Sequence, residues 1–554
     1  MKKFYLKHYK KIQFLKVITF IFVLLNSSSV LQSQSIILGR PTDNSITASI
    51  TFDQNMEYYL EYGTQTGVYT STTSTYLNVS NTPDEVDMIN LLPNSRYFYR
   101  IQYRVVGSST YSATPEYTFH TQRAEGSTFT FTIEADEHLY DKKGVKNMYD
   151  VTLANQAADH PDFMLSLGDI FGDDHEPLTI TSDELDILHR DYIPFLAKIC
   201  HSIPFYVCLG NHEGENDYYY ALTQPDNLCI WGTNWRKFYY PNPYPNDFYS
   251  GNNDNEPFGI GNPENYYAWT WGDALFVVLD VYRDQSYSIL DDKPGNWNWT
   301  LGLPQYTWLK STLENSEAKY KFVFAHHIRG QGRGGITNAT QYEWGGLDNG
   351  VNKFAQNRPG WAKPIHQLFQ DNGVNIFFQG HDHVFSHEVL DDVTYQAVPM
   401  AADSTYTIGM LANADAYTAD TLDGTGHIRV TVSTDCVQVD YIRAYLPADT
   451  LSGIHHNAEV AFSYTIGECS STGVNETTEK DEDSVFPNPT HDKVTIAFTD
   501  GYQPNVIKLI NTLGELLYET NSNVIDVSQL PNGIYFLAID FNKKNIIKKI
   551  VIAH

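Results

Sequence analysis

Positive charge is scarce in this sequence. Lys and Arg number 37 against 66 Asp and Glu, a formal net charge of −29. That balance excludes a nucleic-acid duplex as partner, because a phosphate backbone needs a basic footprint. It leaves room for a small phosphorylated substrate, since a local cation inverts the field within one site. Long apolar runs are missing as well. The run from Val17 to Leu25 falls well short of the roughly 20 residues a membrane span requires, so no permanent membrane span is expected. Cysteine is sparse at 5 residues, Cys200, Cys208, Cys229, Cys436 and Cys469. Export permits disulfides. Cys436 with Cys469 would bracket the end of the central region, and Cys208 reads as a buried thiol, but spacing alone does not fix a pairing. No internal repeat is evident.

What is present is ordinary for a folded chain: 42% hydrophobic and 19% charged residues, with 39 Tyr and 29 Phe. Lys2, Lys3, Lys7, Lys10, Lys11 and Lys16 precede the Val17–Leu25 run, and a small, polar stretch follows it. Residues 1–35 therefore read as a signal peptide, a retained membrane anchor being the alternative. Residues 36–122 read as short strands split by turn residues, the pattern of a small β-sandwich. From Phe129 apolar strands alternate with helical stretches over Asp183–Ile199, Gln305–Leu313 and Trp361–Gln370, so 126–469 is an α/β layered domain. Residues Asn216–Asn265 interrupt it with an irregular Tyr-, Trp-, Pro- and Asn-rich segment, either functional or a covering excursion. Residues 470–484 form a polar linker, and 485–554 a small strand-rich unit.

Five clusters carry the chemistry: Asp136-Glu-His138, Gly168-Asp169, Gly210-Asn-His-Glu213, Ala325-His-His327 and Gly380-His-Asp-His383. Each directly follows an apolar strand, and ligands in open α/β sheets bind beyond the carboxyl ends of strands. Carboxylate, imidazole and amide oxygen together suit borderline metals such as Fe, Zn or Mn. Glycines at 168, 210 and 380 permit sharp turns and close approach. One such cluster alone would carry little weight; five in one order are hard to attribute to chance.

These motifs resemble the calcineurin-like metallophosphoesterase superfamily over roughly Phe129 to Tyr445. The resemblance implies a four-layer α/β sandwich and a dinuclear metal cage. One metal would take Asp136, His138, Asp169 and His383, and the other Asp169, Asn211, His326 and His381, with Asp169 shared. His212 would be the catalytic proton donor or charge stabiliser, and a metal-bridging hydroxide the attacking group. The flanks, Leu91-Leu-Pro-Asn-Ser-Arg-Tyr-Phe-Tyr99 and Tyr266-Tyr-Ala-Trp-Thr-Trp-Gly272, resemble purple acid phosphatases, whose amino-terminal domain is fibronectin III-like. Those enzymes place a Tyr ligand three residues after the Asp of Gly-Asp and lack the His of Asp-x-His. Here Gly172 stands at that position and His138 is present, so no tyrosinate-to-iron colour is expected.

Arg329 and Arg333 lie in a Gly-rich loop and could grip a phosphate oxygen bidentately, a solvated loop being the plainer reading. His327 could reach substrate or support its neighbour. Glu213 and Asp382 read as orienting groups, and Asp173 and Asp174 as surface carboxylates. Val485-Phe-Pro-Asn-Pro489 with Leu530-Pro-Asn-Gly-Ile-Tyr-Phe536 resembles a type IX secretion C-terminal sorting domain, which implies that machinery as partner and a secreted or cell-surface location. An adhesion module is the alternative there. The whole reads as a secreted metal-dependent phosphoesterase, foremost a phosphomonoesterase. A phosphodiesterase or nucleotidase with the same site is the alternative, and a non-catalytic surface binding protein the reading of another class.

Overall fold

The computed structural model describes residues 34–140, 143–171, 178–285, 295–328, 333–408, 416–417, 420–469, 484–497, 506–511, 516–540 and 545–553. The leader read at 1–35 lies outside them except for Gln34 and Ser35, which open the first strand. The linker core at 470–483 also lies outside them, as do Gly172, Asp173, Asp174 and Arg329. Two units are distinguished, Met1–Glu468 and Cys469–His554.

The first unit begins as two facing antiparallel sheets. Gln34–Gly39, Ser45–Phe52 and Asp84–Ile89 form one, and Met56–Gly63 pairs with Arg96–Val105 in the other. Alternation decides which side chains turn inward. Met56, Tyr58, Leu60 and Tyr62 pack with Tyr97, Tyr99 and Ile101 against Ile36, Leu38, Ile50 and Phe52. On the outer face, Glu57 stands opposite Arg104 and Glu61 opposite Arg100, and both pairs form ion pairs. Opposite charges directly across a ladder support its register. The Leu38 N–H donates to the Cys200 carbonyl at 2.9 Å and the Tyr99 hydroxyl to that of His201 at 2.6 Å, docking the sandwich on the central α/β part.

The central part has two sheets face to face. In one, Phe205–Val207, Phe163–Ser166 and Phe129–Glu134 run parallel and continue antiparallel through Gly426–Val432, Cys436–Arg443 and Val460–Gly467. In the other, Ala274–Val278, Tyr320–Phe324, Ile376–Gln379 and Val393–Ala397 run parallel. Phe322 and Phe324 join Phe131, Phe163 and Phe276 between the sheets, whereas Val323, between them in sequence, faces the outer helices with Leu309, Leu313 and Phe369. Lys146–Ala158 and Ser182–Leu196 cover the opposite outer face. The order is helix, sheet, sheet, helix.

Element boundaries follow from local chemistry. The Asp183–Ile199 helix spans Ser182–Leu196 because Thr181 and Glu184 close a capping box at its start. The helix expected from Trp361 begins at Ile365, after Pro364. The segment Asn216–Asn265, read as irregular, holds helices Asp217–Tyr220 and Leu228–Tyr239. Asn227 caps the second, accepting from Ile230 N–H at 3.0 Å. Its buried face sets Gly232, Thr233 and Arg236 beside Leu228, Cys229, Ile230 and Tyr239. Arg236 is wholly buried and grips Glu215 at 2.6 and 2.9 Å.

Cys200, Cys208 and Cys229 are buried free thiols, and Cys436 and Cys469 are disulfide-bonded. No helix among the described residues is long and apolar enough to cross a membrane. In the second unit, Ser484–Phe486, Lys493–Ala497 and Val524–Asp526 form one sheet; Leu516–Thr520, Val506–Asn511, Gly533–Asp540 and Asn545–Ile552 form another. Val494, Ile496, Ile507, Leu509, Leu537, Ile539 and Ile550 fill its core.

Candidate metal centre

Parallel strands deliver all five motifs to one end of the paired sheets. Asp136 and His138 follow Phe129–Glu134, Asp169 follows Phe163–Ser166, Asn211 follows Phe205–Val207, His326 follows Tyr320–Phe324, and His381 and His383 follow Ile376–Gln379. The backbone there is unusual. Asp136 (φ 56°), His138 (48°), Asp169 (62°), His381 (67°) and His383 (58°) all adopt the left-handed region, which costs a residue with a Cβ roughly 1 kcal/mol or more. The glycines between them are sites of close approach. A Cβ on Gly210 would lie 2.2 Å from Asp169 Oδ1, one on Gly168 2.3 Å from Gly210 N, and one on Gly380 2.7 Å from Asp136 Oδ2.

Each carboxylate is tethered by one oxygen. Asp136 Oδ2 accepts from His381 N–H at 2.8 Å, and Asp169 Oδ1 from His212 N–H at 2.9 Å. The second oxygens meet the imidazoles. Asp136 Oδ1 lies 3.5 Å from His383 Nε2 and 3.9 Å from the Nε2 atoms of His138 and His326. Asp169 Oδ2 lies 3.2 Å from His326 Nε2 and 3.8 Å from those of His138 and His212. Ring nitrogens face each other closely, His138 Nε2 to His383 Nε2 at 3.0 Å and His326 Nε2 to His381 Nδ1 at 3.1 Å. Lone pairs held this close repel unless a proton or cation lies between them. Asp136 Oδ1 and Asn211 Oδ1 are buried without a hydrogen-bond partner, which a protein avoids unless something else satisfies the atoms. Three overlapping sets, Asp136–His138–His383, His138–Asp169–His212 and Asp169–His326–His381, have donor atoms within 4.8 Å of one another. Nitrogen and oxygen donors so arranged fit borderline metal cations.

Charge within the cage is strongly coupled. Burial pushes the Asp169 carboxyl up, but His326, His212 and His138 outweigh it and hold the group well below its usual range. The same opposition, with His383 and His326 prevailing, lowers Asp136. Burial lowers His326, but Asp169 and Asp136 reverse the sign and raise it to about 9. Its Nδ1–H donates to the Leu167 carbonyl at 2.7 Å, turning Nε2 to the cage.

Orienting groups surround the cage. Glu213 Oε2 accepts from Gly210 N–H at 2.6 Å and Asp169 N–H at 3.0 Å, and Oε1 from Ile170 N–H at 2.7 Å, tying two ligand loops together. Asp382 Oδ2 accepts from Gly334 N–H at 2.8 Å and the Tyr417 hydroxyl at 2.6 Å. Arg333 sits in that loop and donates to the His381 carbonyl at 3.0 Å, so it is held at the cage edge. The His327 ring stacks on His381 at 4.0 Å. The His212 side chain is 16% exposed, against 2% or less for Asp169 and His138, and opens to the mouth. Sequence reasoning missed Tyr140, whose hydroxyl lies 3.1 Å from His138 Nδ1. It also missed Glu134, which takes bonds from Tyr149 at 2.8 Å and Gln156 at 2.5 Å beneath the Asp136–His138 segment. The acidic spacing Glu134-Ala-Asp-Glu137 was the only visible signal for that support.

Residues 129–385 match the family model for calcineurin-like phosphoesterases, and residues 484–553 that for the secretion system C-terminal sorting domain. Among solved structures, purple acid phosphatase PPD1 from yellow lupin (Lupinus luteus) seeds is similar at 15% identity and TM-score 0.52, covering 78% of this chain and 74% of that one. PhoD is similar at 15% identity and TM-score 0.54, covering 78% of this chain and 90% of that one. At such identity the likeness speaks for the fold. A search of curated proteins returned no match. The chain carries a calcineurin-like phosphoesterase domain and a sorting domain that directs it through type IX secretion to the cell surface or outside.

Proposed function

We propose that this protein is a dinuclear-metal phosphoric ester hydrolase acting outside the cell on phosphomonoesters. In this reading 36–122 is a fibronectin III-like module, 126–469 the catalytic domain, 470–484 a linker and 485–554 the sorting domain. Asp136, His138, Asp169 and His383 hold one metal, and Asp169, Asn211, His326 and His381 the other; Fe, Zn and Mn all suit the donors. The observation that carries the reading is the position of Asp169 Oδ2. With Oδ1 taken by His212 N–H, Oδ2 stands between His326 at 3.2 Å and His138 at 3.8 Å, as a shared ligand must.

When bound, paired metals supply an acidified water and a clamp on phosphoryl oxygens. The chain supplies the rest. His212, partly exposed with Nε2 3.8 Å from Asp169 Oδ2, is placed to give a proton to the leaving oxygen or to stabilise charge there. Arg333, anchored on the His381 carbonyl, keeps a cation at the rim for a phosphate oxygen. The non-catalytic alternative is disfavoured because no ligand position has been lost.

The test is metal-reconstituted protein assayed on matched monoester and diester chromogenic substrates, with Asp169→Asn as control. Faster monoester cleavage, lost in the variant, is expected. Diester preference would replace the substrate class, and no hydrolysis of either would leave the surface binding protein. His212→Ala should keep its metal while activity falls; loss of metal would make His212 a ligand.

A further inference from the structure

A cavity of about 250 Å³ lies where the amino-terminal sandwich meets the α/β part. It sits at the amino ends of strands Phe163–Ser166 and Phe205–Val207, the end opposite the metal centre. Three elements each contribute an imidazole to its wall. His120 comes from strand Tyr117–His120, His160 from the turn after helix Lys146–Ala158, and His201 from the turn after helix Ser182–Leu196. Arg96, directly across the ladder from His120, and Lys198 add two cations.

Nothing in the wall balances them. Asp162 is its one acid, and both of its oxygens are occupied: Arg123 donates to them at 2.7 and 2.8 Å, and Trp271 Nε1–H to Oδ2 at 2.9 Å. Lys198 meets Asp150 in an exposed ion pair, a kind that holds little energy. Arg96 and the His160 ring have no ion-pair or side-chain hydrogen-bond partner among the described residues. Burial lowers His120 and His201, and the Arg123 and Arg96 charges press His120 further in the same direction. In a chain of net charge −29, this is a local reversal of the field. The nitrogens are not gathered as a cation would require, since the sets of donor atoms within 4.8 Å of one another belong to the cage alone among the described residues.

We propose that this cavity binds a small dianionic oxyanion of the phosphate or sulfate class, held by Arg96, Lys198 and the three imidazoles. His120 Nδ1–H donates to the Thr121 carbonyl at 2.6 Å, so Nε2 is the nitrogen that takes up a proton when the ion arrives. The ion draws donors from both the sandwich and the α/β part and so clamps their junction. None of this rests on the metal-binding reading above.

Sulfate is the probe, because its charge is the same at pH 6 and pH 8. Zinc-loaded full-length wild type and Arg96→Gln are titrated with it by calorimetry at both pH values and constant ionic strength. Expected is a sulfate that wild type binds more tightly at pH 6, with proton uptake. Arg96→Gln should bind that ion at least about tenfold more weakly, the scale of a lost hydrogen bond between charged groups. Sulfate held at the cage would appear as a separate site that the variant leaves unchanged. Equal sulfate binding by the two proteins would overturn the proposal, and so would an affinity independent of pH, since the imidazoles would then take no part. Loss of a bound zinc ion in His160→Ala would also overturn it, making the cavity a cation site. Wild type that takes up no zinc would refute the cage assignment and leave the sulfate comparison intact.

Discussion

Replacing Glu213 by Gln should loosen the cage without touching a proposed ligand. The Glu213 side chain is buried, and its two oxygens accept from Gly210, Asp169 and Ile170 N–H at 2.6, 3.0 and 2.7 Å. An amide has one acceptor oxygen. Its better placement keeps the Gly210 and Asp169 bonds and sets an NH2 group against the Ile170 N–H. A buried donor left unpaired costs about 1–3 kcal/mol, and the opposed dipoles add to that, so a loss of about 2–4 kcal/mol is expected. Because Ile170 directly follows Asp169, a repelled Ile170 N–H displaces that ligand's loop, and metal affinity should also fall about 10- to 100-fold. Burial and the neighbouring Asp169 raise the carboxyl to about 7, so the comparison belongs at pH 8, where it is ionised. Chemical denaturation of the metal-loaded proteins gives the stability difference, and chelator competition the affinity. A variant equal to wild type in both would refute the idea that this carboxylate anchors the Asp169–Ile170 turn.

Three further outcomes are expected. Phe276, wholly buried between the sheets with ring centroids 5.1 Å from Phe131 and 5.2 Å from Phe163, should cost about 3–5 kcal/mol on truncation to Ala, read as a lower denaturation midpoint. His189 is buried among Phe171, Tyr239 and Tyr240, and burial, then Arg236, lower it to about 3. The unfolded chain then binds more protons than the native one below about pH 6.5, so stability is full above that pH and falls on acidification. His189→Phe should accordingly gain about 2 kcal/mol on wild type between pH 8 and pH 5, measured by urea melts at both. Iron-loaded protein should show no strong visible charge-transfer band, because His138 faces the cage and residue 172 is glycine; such a band in pure protein would contradict the ligand set.

The strands and motif clusters were legible because they obey short-range rules. Runs such as Tyr320-Lys-Phe-Val-Phe324, buried on both faces, read as core strands, and the ligand types follow at their ends. Helix Leu228–Tyr239 was not, since it carries Gly232 and Asn234 in its interior and lies between Pro- and Asn-rich stretches that read as loop. Arg236 becomes tolerable inside through Glu215, 21 residues earlier, and the Pro263 and Glu264 carbonyls, partners no local window contains. Arg333 was weighed as solvated loop because its acceptor, the His381 carbonyl, belongs to another motif.

The same division runs through the site. Which residues bind is written in the motifs, but what obliges them to converge is not. Five proposed ligands take a left-handed backbone that any one would relinquish if free. They keep it because the motifs hold one another: His381 N–H on Asp136, His212 N–H on Asp169, Gly168 against Gly210. Each tether spends one carboxylate oxygen on a neighbouring loop and leaves the other facing the cage. The strain and the open coordination positions thus have a common origin, and a substitution that relaxes one should be felt at the other. Glu213→Gln separates this coupling from simple ligand loss, since every proposed donor atom remains in the chain and only the bond to Ile170 N–H gives way to a repulsion.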